Sequence, residues 1–231
     1  CMIESKYGNL SQQFLRGVYY LLRPWFKLEV KGKEHLRRIE RTLDKKIKII
    51  AATTHANVLR SIATGLALGG RIFSLVINEE WSNKWVGPFL RLMNCIMVYP
   101  PSKEASQEEI YECNRKKIQT AKEMIEVLKS DNLPQIMLMA PIGRFNSDDE
   151  KDINLRRGIA VTAYRASHKS DKEIYILPMV ETIGRPGFLG IIGRKYIVEI
   201  FPAIYSNGRN PAEIVDIVQE EMRSVYRKKA V

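Results

Sequence analysis

Apolar and polar residues follow two distinct patterns along the chain. Short, nearly continuous apolar runs occupy residues 26–30, 47–52, 71–77, 96–99, 135–140, 174–180 and 196–201. Such runs are typical of strands covered on both faces of a sheet. Between them, apolar residues recur at helical spacing over residues 12–22, 34–42, 57–68, 81–92, 107–129, 155–167 and 211–228. This alternation predicts an α/β fold with a mixed, largely parallel central sheet flanked by helices.

The length of 231 residues and the apolar content of 45% suit a single sizeable core. No stretch reaches 18 uninterrupted apolar residues, so no transmembrane helix is expected. The longest candidate, residues 58–77, contains Arg60, Arg71 and the pair Gly69 and Gly70, which predict helix, turn and strand. The three cysteines are odd in number and lack metal-like spacing, which favours a reducing, cytoplasmic compartment.

Positive charge is concentrated near the start of the chain. The net charge is +11, and the first 50 residues hold twelve Lys or Arg against five Asp or Glu. This excess favours an anionic partner such as a membrane surface or a phosphate-bearing substrate. A nucleic-acid partner is the weakest of the hypotheses, because the aromatic residues are not interleaved with basic residues along a sheet.

The first helical segment combines aromatic and basic side chains. Residues 1–27 are therefore predicted to form a membrane-interface helix, and residues 28–231 the α/β domain. The membrane-binding side chains in this prediction are Phe14, Arg16, Tyr19, Arg23 and Trp25. The alternative is a terminal helix docked on the domain. The membrane interpretation implies a cytoplasmic protein held peripherally on an anionic membrane.

Of the three histidines, His55 has the position of a catalytic residue. It follows an apolar strand and precedes a helical segment, where α/β folds expose reactive groups. An imidazole also has a pKa near neutrality, as a general base requires. The alternative is a structural or helix-capping histidine. His35 and His168 lie in polar segments and are predicted to be surface residues.

Several short motifs keep the order and spacing of one enzyme family. The segment Thr53-Thr-His-Ala-Asn-Val-Leu-Arg60 resembles its strand and His-x4-Asp motif, and Met137-Leu-Met-Ala-Pro-Ile-Gly143 resembles its Pro-Glu-Gly turn. Further similar segments are Val30–Leu36, Trp85–Val98, Leu155–Ala160 and Ile176–Val180. Over residues 28–182 the chain thus resembles the lysophospholipid and glycerol-phosphate acyltransferases.

The resemblance implies a fold and a reaction. In that family the motif histidine takes a proton from an acceptor hydroxyl, which attacks the thioester of an acyl donor carried by coenzyme A or acyl carrier protein. The acceptor is a lysophospholipid or a related alcohol, and neither a metal nor a redox cofactor takes part. Carried onto this chain, the resemblance makes His55 the catalytic base. It implies substrate binding by Arg60, Lys103, Gly143, Arg144, Arg156 and Arg157.

The chain departs from the family pattern at its charged positions. Arg60 stands where the family has aspartate, Ile142 where it has glutamate, and Phe145 where it has arginine. An arginine beside His55 would lower the imidazole pKa instead of raising it. Candidate replacements for the missing carboxylates are the acids Glu79, Glu80, Asp148, Asp149 and Asp152. Two hypotheses follow: an acyltransferase that uses His55, or a non-catalytic member that binds lipid or acyl donor in the same groove. The oligomeric state is left open.

Overall fold

The computed structural model describes residues 9–41, 46–54, 58–69, 72–78, 95–98, 106–131, 136–139, 153, 155–183 and 195–229. Within these ranges the helices are α1 (Asn9–Leu22), α2 (Lys33–Arg41), α3 (Val58–Ala67), α4 (Gln107–Lys129), α5 (Gly158–His168) and α6 (Pro211–Lys229). A short 3-10 turn, Arg23–Trp25, follows α1. The strands are β1 (Lys27–Lys31), β2 (Ile47–Thr53), β3 (Ile72–Asn78), β4 (Cys95–Val98), β5 (Ile136–Met139), β6 (Glu173–Ile183), β7 (Lys195–Ile200) and β8 (Ile204–Tyr205).

The described strands form one mixed sheet in the order β1-β7-β6-β2-β5-β3-β4. Strands β2 to β6 are mutually parallel. Strand β7 runs antiparallel to β6, and β1 runs parallel to β7. Short β8 pairs antiparallel with the first half of β6. The prediction of a mixed, largely parallel sheet flanked by helices is therefore confirmed.

Strand β2 shows why the apolar runs are continuous. All seven of its residues are buried. Ile50 and Ala52 face the core that the sheet forms with α4, α5 and α6. Ile49 and Ala51 face the core on the other side, with α2 and α3. Because successive side chains point to opposite faces, a strand between two helical layers needs apolar residues at every position.

Local sequence signals set several helix ends. Ser106 and Glu109 form a capping box at the start of α4, which satisfies backbone N–H groups that the helix leaves unpaired. The side chain of Asn210 accepts a hydrogen bond of 2.9 Å from the Ala212 N–H, directly before Pro211 opens α6. The predicted helices 107–129 and 211–228 are thus confirmed. The predicted helix 81–92 lies outside the described residues.

Glycine is required where β1 turns into α2. Gly32 has a φ of +70°, and a Cβ added there would lie 2.0 Å from the carbonyl oxygen of Ile200. Both the positive φ and this close approach exclude other residues. The turn therefore packs closely against the end of β7.

The ring of Tyr19 packs helix α1 against the domain. Tyr19 is only 4% exposed, and a Cβ added to Gly65 of α3 would lie 2.2 Å from its ring atoms. The absence of a side chain at Gly65 therefore admits the ring, which supports the docked-helix alternative for this residue. In the described part of the chain, no helix is both long and apolar enough to span a membrane.

Candidate active site

The carboxyl ends of the parallel strands bring the sequence motifs toward one edge of the sheet. Strand β2 ends two residues before His55, β5 ends at Met139 shortly before Gly143, and β4 ends at Val98 before Lys103. His55, Lys103, Gly143 and Arg144 themselves lie outside the described residues. The strands that lead to them are parallel, so all of these strands end at the same edge. Ligand sites of open α/β sheets form at this edge.

The strands before the two principal motifs are direct neighbours. Ala52 of β2 pairs with Met139 of β5. The Thr53 hydroxyl lies 3.5 Å from the Met139 carbonyl oxygen, a long contact. Neighbouring strands are roughly 5 Å apart. Strands β2 and β5 therefore end side by side at the same edge of the sheet. We accordingly predict that residues 141–145 lie close to His55.

A buried carboxylate lies beside Thr54, the residue before His55. Glu181 of β6 is 1% exposed. The Thr54 hydroxyl donates a 2.7 Å hydrogen bond to its Oε2, and the Glu181 backbone N–H donates to the same hydroxyl oxygen at 3.2 Å. The Thr64 hydroxyl contacts Oε1. Thr54 directly precedes His55, so this carboxylate fixes the residue from which the histidine segment departs.

Helical and strand periodicity explain how this group assembles. Arg60 and Thr64 are one turn apart on α3 and both are buried, since residues four apart lie on one helix face. On β6, Leu177, Met179 and Glu181 share the face toward α3, because alternate residues of a strand point the same way. Glu181 thus continues an inward-facing apolar row.

Burial and hydrogen bonding have opposite effects on Glu181. Burial raises the pKa of its carboxyl group, and this is the largest effect. Hydrogen bonds from Thr64 and Thr54 and the positive charge of Arg60 act to lower that pKa, but the net shift is upward. The Thr64 hydroxyl also lies 3.1 Å from the Arg60 carbonyl oxygen. Since it has one hydrogen, it donates to one of the two acceptors at a time.

Arg60 lies inside the domain. Its side chain is 4% exposed, and its charge acts on Glu181. Arg60 stands where the acyltransferase motif has aspartate. It thus lies near the carboxylate of Glu181, which comes from a strand far away in sequence. Contact between Arg60 and a substrate anion stays a prediction.

Arg156 and Arg157 precede α5 and are exposed. Only four residues separate the end of α5 from the start of β6, so the helix returns from the carboxyl edge of the sheet to its amino edge. Its first residues therefore lie toward the carboxyl ends of the strands. Hydrogen bonds to α6 hold this segment, because the Gln219 side chain accepts from the Leu155 N–H at 3.1 Å and Arg223 donates to the Ile153 carbonyl at 2.9 Å.

The membrane-binding residues of the sequence analysis divide into two groups. Phe14, Arg16 and Arg23 are exposed. Tyr19 is instead part of the interior, because helical spacing shows that α1 has an apolar face but not what that face meets. The side chain of Trp25 lies outside the described residues. Membrane contact through the exposed residues stays a prediction.

Sequence reasoning missed Glu181. The replacement carboxylates Glu79, Glu80, Asp148, Asp149 and Asp152 lie close to the motifs in sequence, and all are outside the described residues. Glu181 lies 127 positions from Thr54. One signal was present: an acid two residues after Met179, at an inward position of an apolar strand. Buried acids are rare unless they are paired, which makes such a position informative.

The chain has no match among protein-family models, and no curated protein is significantly similar to it. The resemblance to acyltransferases therefore rests on the ordered motifs, and the site rests on the geometry around Thr54 and Glu181.

Proposed function

We propose that this protein is an acyltransferase that moves a fatty acyl group from acyl-coenzyme A or acyl carrier protein to a lysophospholipid or related alcohol. His55 is the general base. The observation that carries this proposal is the buried hydrogen-bonded group of Glu181, Thr54 and Thr64, in which Thr54 directly precedes His55 in the sequence. The ordered motifs supply the reaction class. The group supplies a buried carboxylate to a chain that has Arg60 where the family pattern has aspartate.

Glu181 acts in this proposal as a positioning residue. A general base needs a fixed ring orientation, which a neighbouring carboxylate usually provides. Here Glu181 holds the Thr54 hydroxyl through two hydrogen bonds, since its carboxylate accepts one from the hydroxyl and its backbone N–H donates one to the hydroxyl oxygen. It therefore fixes the start of the His55 segment from inside the domain.

The energetic cost of this group favours a functional role. A buried carboxylate loses its hydration, and apolar residues of similar volume are often equally stable or more stable. Leu177 and Met179 on the same face show that apolar side chains fit this core. The presence of buried Glu181 and Arg60 among them supports a working site.

A non-catalytic binding protein is the second candidate. It is favoured by Arg60 and Ile142, which stand where the family has its two motif acids. Loss of the carboxylate partner in a comparable triad lowers turnover by roughly 10⁴. In this alternative the same edge of the sheet binds an acyl donor or a lipid without reaction.

Peripheral membrane attachment belongs to the same proposal. Exposed Phe14, Tyr20 and Leu21 of α1 lie in a segment that also carries exposed Arg16 and Arg23. Aromatic and basic side chains together suit the headgroup region of an anionic membrane.

Donor turnover separates the two candidates. The purified chain is incubated with palmitoyl-coenzyme A or palmitoyl-acyl carrier protein, together with glycerol 3-phosphate, lysophosphatidic acid or lysophosphatidylcholine. Released thiol and acylated product are both measured. The acyltransferase gives equal amounts of both with at least one acceptor. A binding protein shows saturable binding of palmitoyl-coenzyme A by calorimetry without thiol release. Neither binding nor release, with every donor and acceptor, would overturn both candidates.

A further inference from the structure

A cavity of about 380 Å³ lies between α1, β1 and α3. Its described walls come from α1 and the turn after it, from β1, from the first residue of α2 and from the end of α3. Small-molecule sites occupy roughly 300–1,000 Å³. This cavity is therefore large enough for one slender ligand but not for a lipid with two long chains.

The charged side chains of the cavity all carry one sign. Arg16, Arg23 and Lys33 are exposed, and the described lining residues include no Asp or Glu. The nearest acid in sequence on β1, Glu29, bonds to Lys195 and to Lys31 at 3.9 Å. Because alternate strand residues point to opposite faces, Glu29 lies away from Leu28 and Val30. The cavity therefore attracts anions.

The inner wall of the cavity is apolar. Phe26, Leu28, Val30 and Leu66 are each half-buried and border the space. The ring of Tyr19 is buried beside them. Ligand pockets typically combine a mainly apolar lining with a few polar groups that fix orientation. An apolar wall below exposed cationic side chains complements a molecule that has an apolar part and an anionic part.

The cavity lies away from the candidate active site. Leu66 and Ala67 belong to the last turn of α3, whereas His55 precedes its first turn. A helix of ten residues spans roughly 15 Å. Neither Thr54 nor Glu181 lines the cavity. An experiment can therefore disprove ligand binding in the cavity without disproving acyl transfer at the candidate active site.

We propose that this cavity binds one anionic amphiphile, a molecule with a single apolar chain and a phosphate or carboxylate head. The chain lies along Phe26, Leu28, Val30 and Leu66. The head is held by Arg16, Arg23 and Lys33, since guanidinium and ammonium groups form strong charge-assisted hydrogen bonds with such anions. This site takes a ligand from either of two sources, phosphorylated lipids or free fatty acids.

Binding of dodecyl phosphate and of dodecanoate to the full chain, below their micelle concentrations, tests the proposal by calorimetry. At least one of them should bind with one-to-one stoichiometry, and the stronger of the two identifies the source of the head group. The triple variant Arg16→Gln, Arg23→Gln, Lys33→Gln should weaken binding roughly tenfold or more, because it removes every head-group cation. Ala67→Phe should weaken it similarly by filling the space.

Matched variants separate the site from general charge and size effects. The triple variant Lys122→Gln, Arg165→Gln, Lys169→Gln removes the same charge from exposed positions elsewhere. Ala121→Phe enlarges a half-buried alanine of α4. Both should bind like wild type. The proposal is overturned if inorganic phosphate or dodecanol binds as tightly as the charged amphiphiles. It is equally overturned if neither amphiphile binds, or if the cavity and control variants behave alike.

Discussion

The hydroxyl of Thr54 donates a hydrogen bond of 2.7 Å to the carboxylate of Glu181, 127 residues later in the chain. This bond joins the end of β2, immediately before His55, to the middle of the domain. Thr64 of α3 contacts the other carboxylate oxygen. This connection should therefore contribute measurably to the stability of the fold.

Thr54→Val and Thr64→Val should each lower the free energy of unfolding by about 0.5–3 kcal/mol, the range that covers hydrogen bonds to neutral and to charged groups. Valine keeps the shape and the strand preference of threonine but cannot donate. Urea denaturation measures the change. Thr53→Val is the control. The Thr53 hydroxyl is also buried, but its contact with the neutral Met139 carbonyl oxygen is long, at 3.5 Å, and therefore weak. A loss at Thr53 as large as at Thr54 contradicts the assignment.

Glu181→Leu should destabilise the protein more than Glu181→Gln. Leucine leaves the Thr54 hydroxyl without its acceptor, at about 1–3 kcal/mol for an unsatisfied group, whereas Thr64 can still donate to the Arg60 carbonyl oxygen. Glutamine still offers one oxygen to them. Equal unfolding free energies for the two variants would mean that the hydrogen bonds contribute nothing.

The pH dependence of the Glu181→Gln variant has a defined sign. The pKa of Glu181 is raised by folding from 4.5, so the folded protein holds this proton more tightly than the unfolded chain. The stability that protonated Glu181 gives is complete below pH 4.5 and is lost as the pH rises through its folded pKa. The stability of wild type relative to Glu181→Gln should therefore decrease as the pH is raised above 4.5. A rising difference would require a lowered pKa.

Lys48 is a second buried charge with a testable pH profile. It lies on β2 and is 1% exposed. Burial, followed by the nearby charge of Lys172, lowers its pKa from 10.5 to about 8, while Asp131 acts in the opposite direction. Because the unfolded chain binds this proton more tightly, charged Lys48 destabilises the fold below pH 8. This penalty disappears between about pH 8 and 10.5.

Lys48→Met should accordingly be more stable than wild type at neutral pH. Its advantage should shrink above pH 8 by at most about 1.4 kcal/mol per pH unit. Denaturation of both proteins across this range measures the difference. Lys46→Met, at an exposed position beside the same strand, controls for loss of charge. Parallel curves for wild type and Lys48→Met would show that Lys48 titrates normally.

Gly65→Ala should destabilise the protein by about 1–3 kcal/mol, because the new methyl group overlaps the ring of Tyr19. The matched change Gly17→Ala in α1 meets no atom within 4 Å. It should stabilise the protein by up to about 1 kcal/mol through helix propensity. Adding Tyr19→Ala to Gly65→Ala should cost less than the sum of the single changes. Strict additivity would show that α1 does not dock through this contact.

Local and periodic features of the fold were predictable from sequence. The capping box of Ser106 and Glu109 and the Asn210 cap define helix ends through neighbouring residues alone. The continuous apolar run of β2 likewise indicates that the strand is buried on both faces. The direction of β1 and β7, antiparallel to β2 through β6, was not predictable because it depends on pairings between distant segments.

The site was predictable only in part. Placement of the motifs after strands indicated which edge of the sheet carries them, and the pairing of Ala52 with Met139 agrees. Glu181 was missed because its role depends on a contact across the sheet and α3, to which neither motif points. Tyr19 was assigned to a membrane face because an apolar helix stripe looks the same whether it meets lipid or protein.

The central claim is that His55 removes a proton from the acceptor during acyl transfer. The most direct test is kcat/KM for the best donor and acceptor pair, measured for wild type and for His55→Ala, with His35→Ala and His168→Ala as controls. His35 is half-buried beside Glu34, and His168 is exposed on α5. The account predicts that His55→Ala lowers kcat/KM by about 10²–10⁴, the usual contribution of a general base, while both controls retain wild-type activity. Undiminished acyl transfer by folded His55→Ala would contradict it.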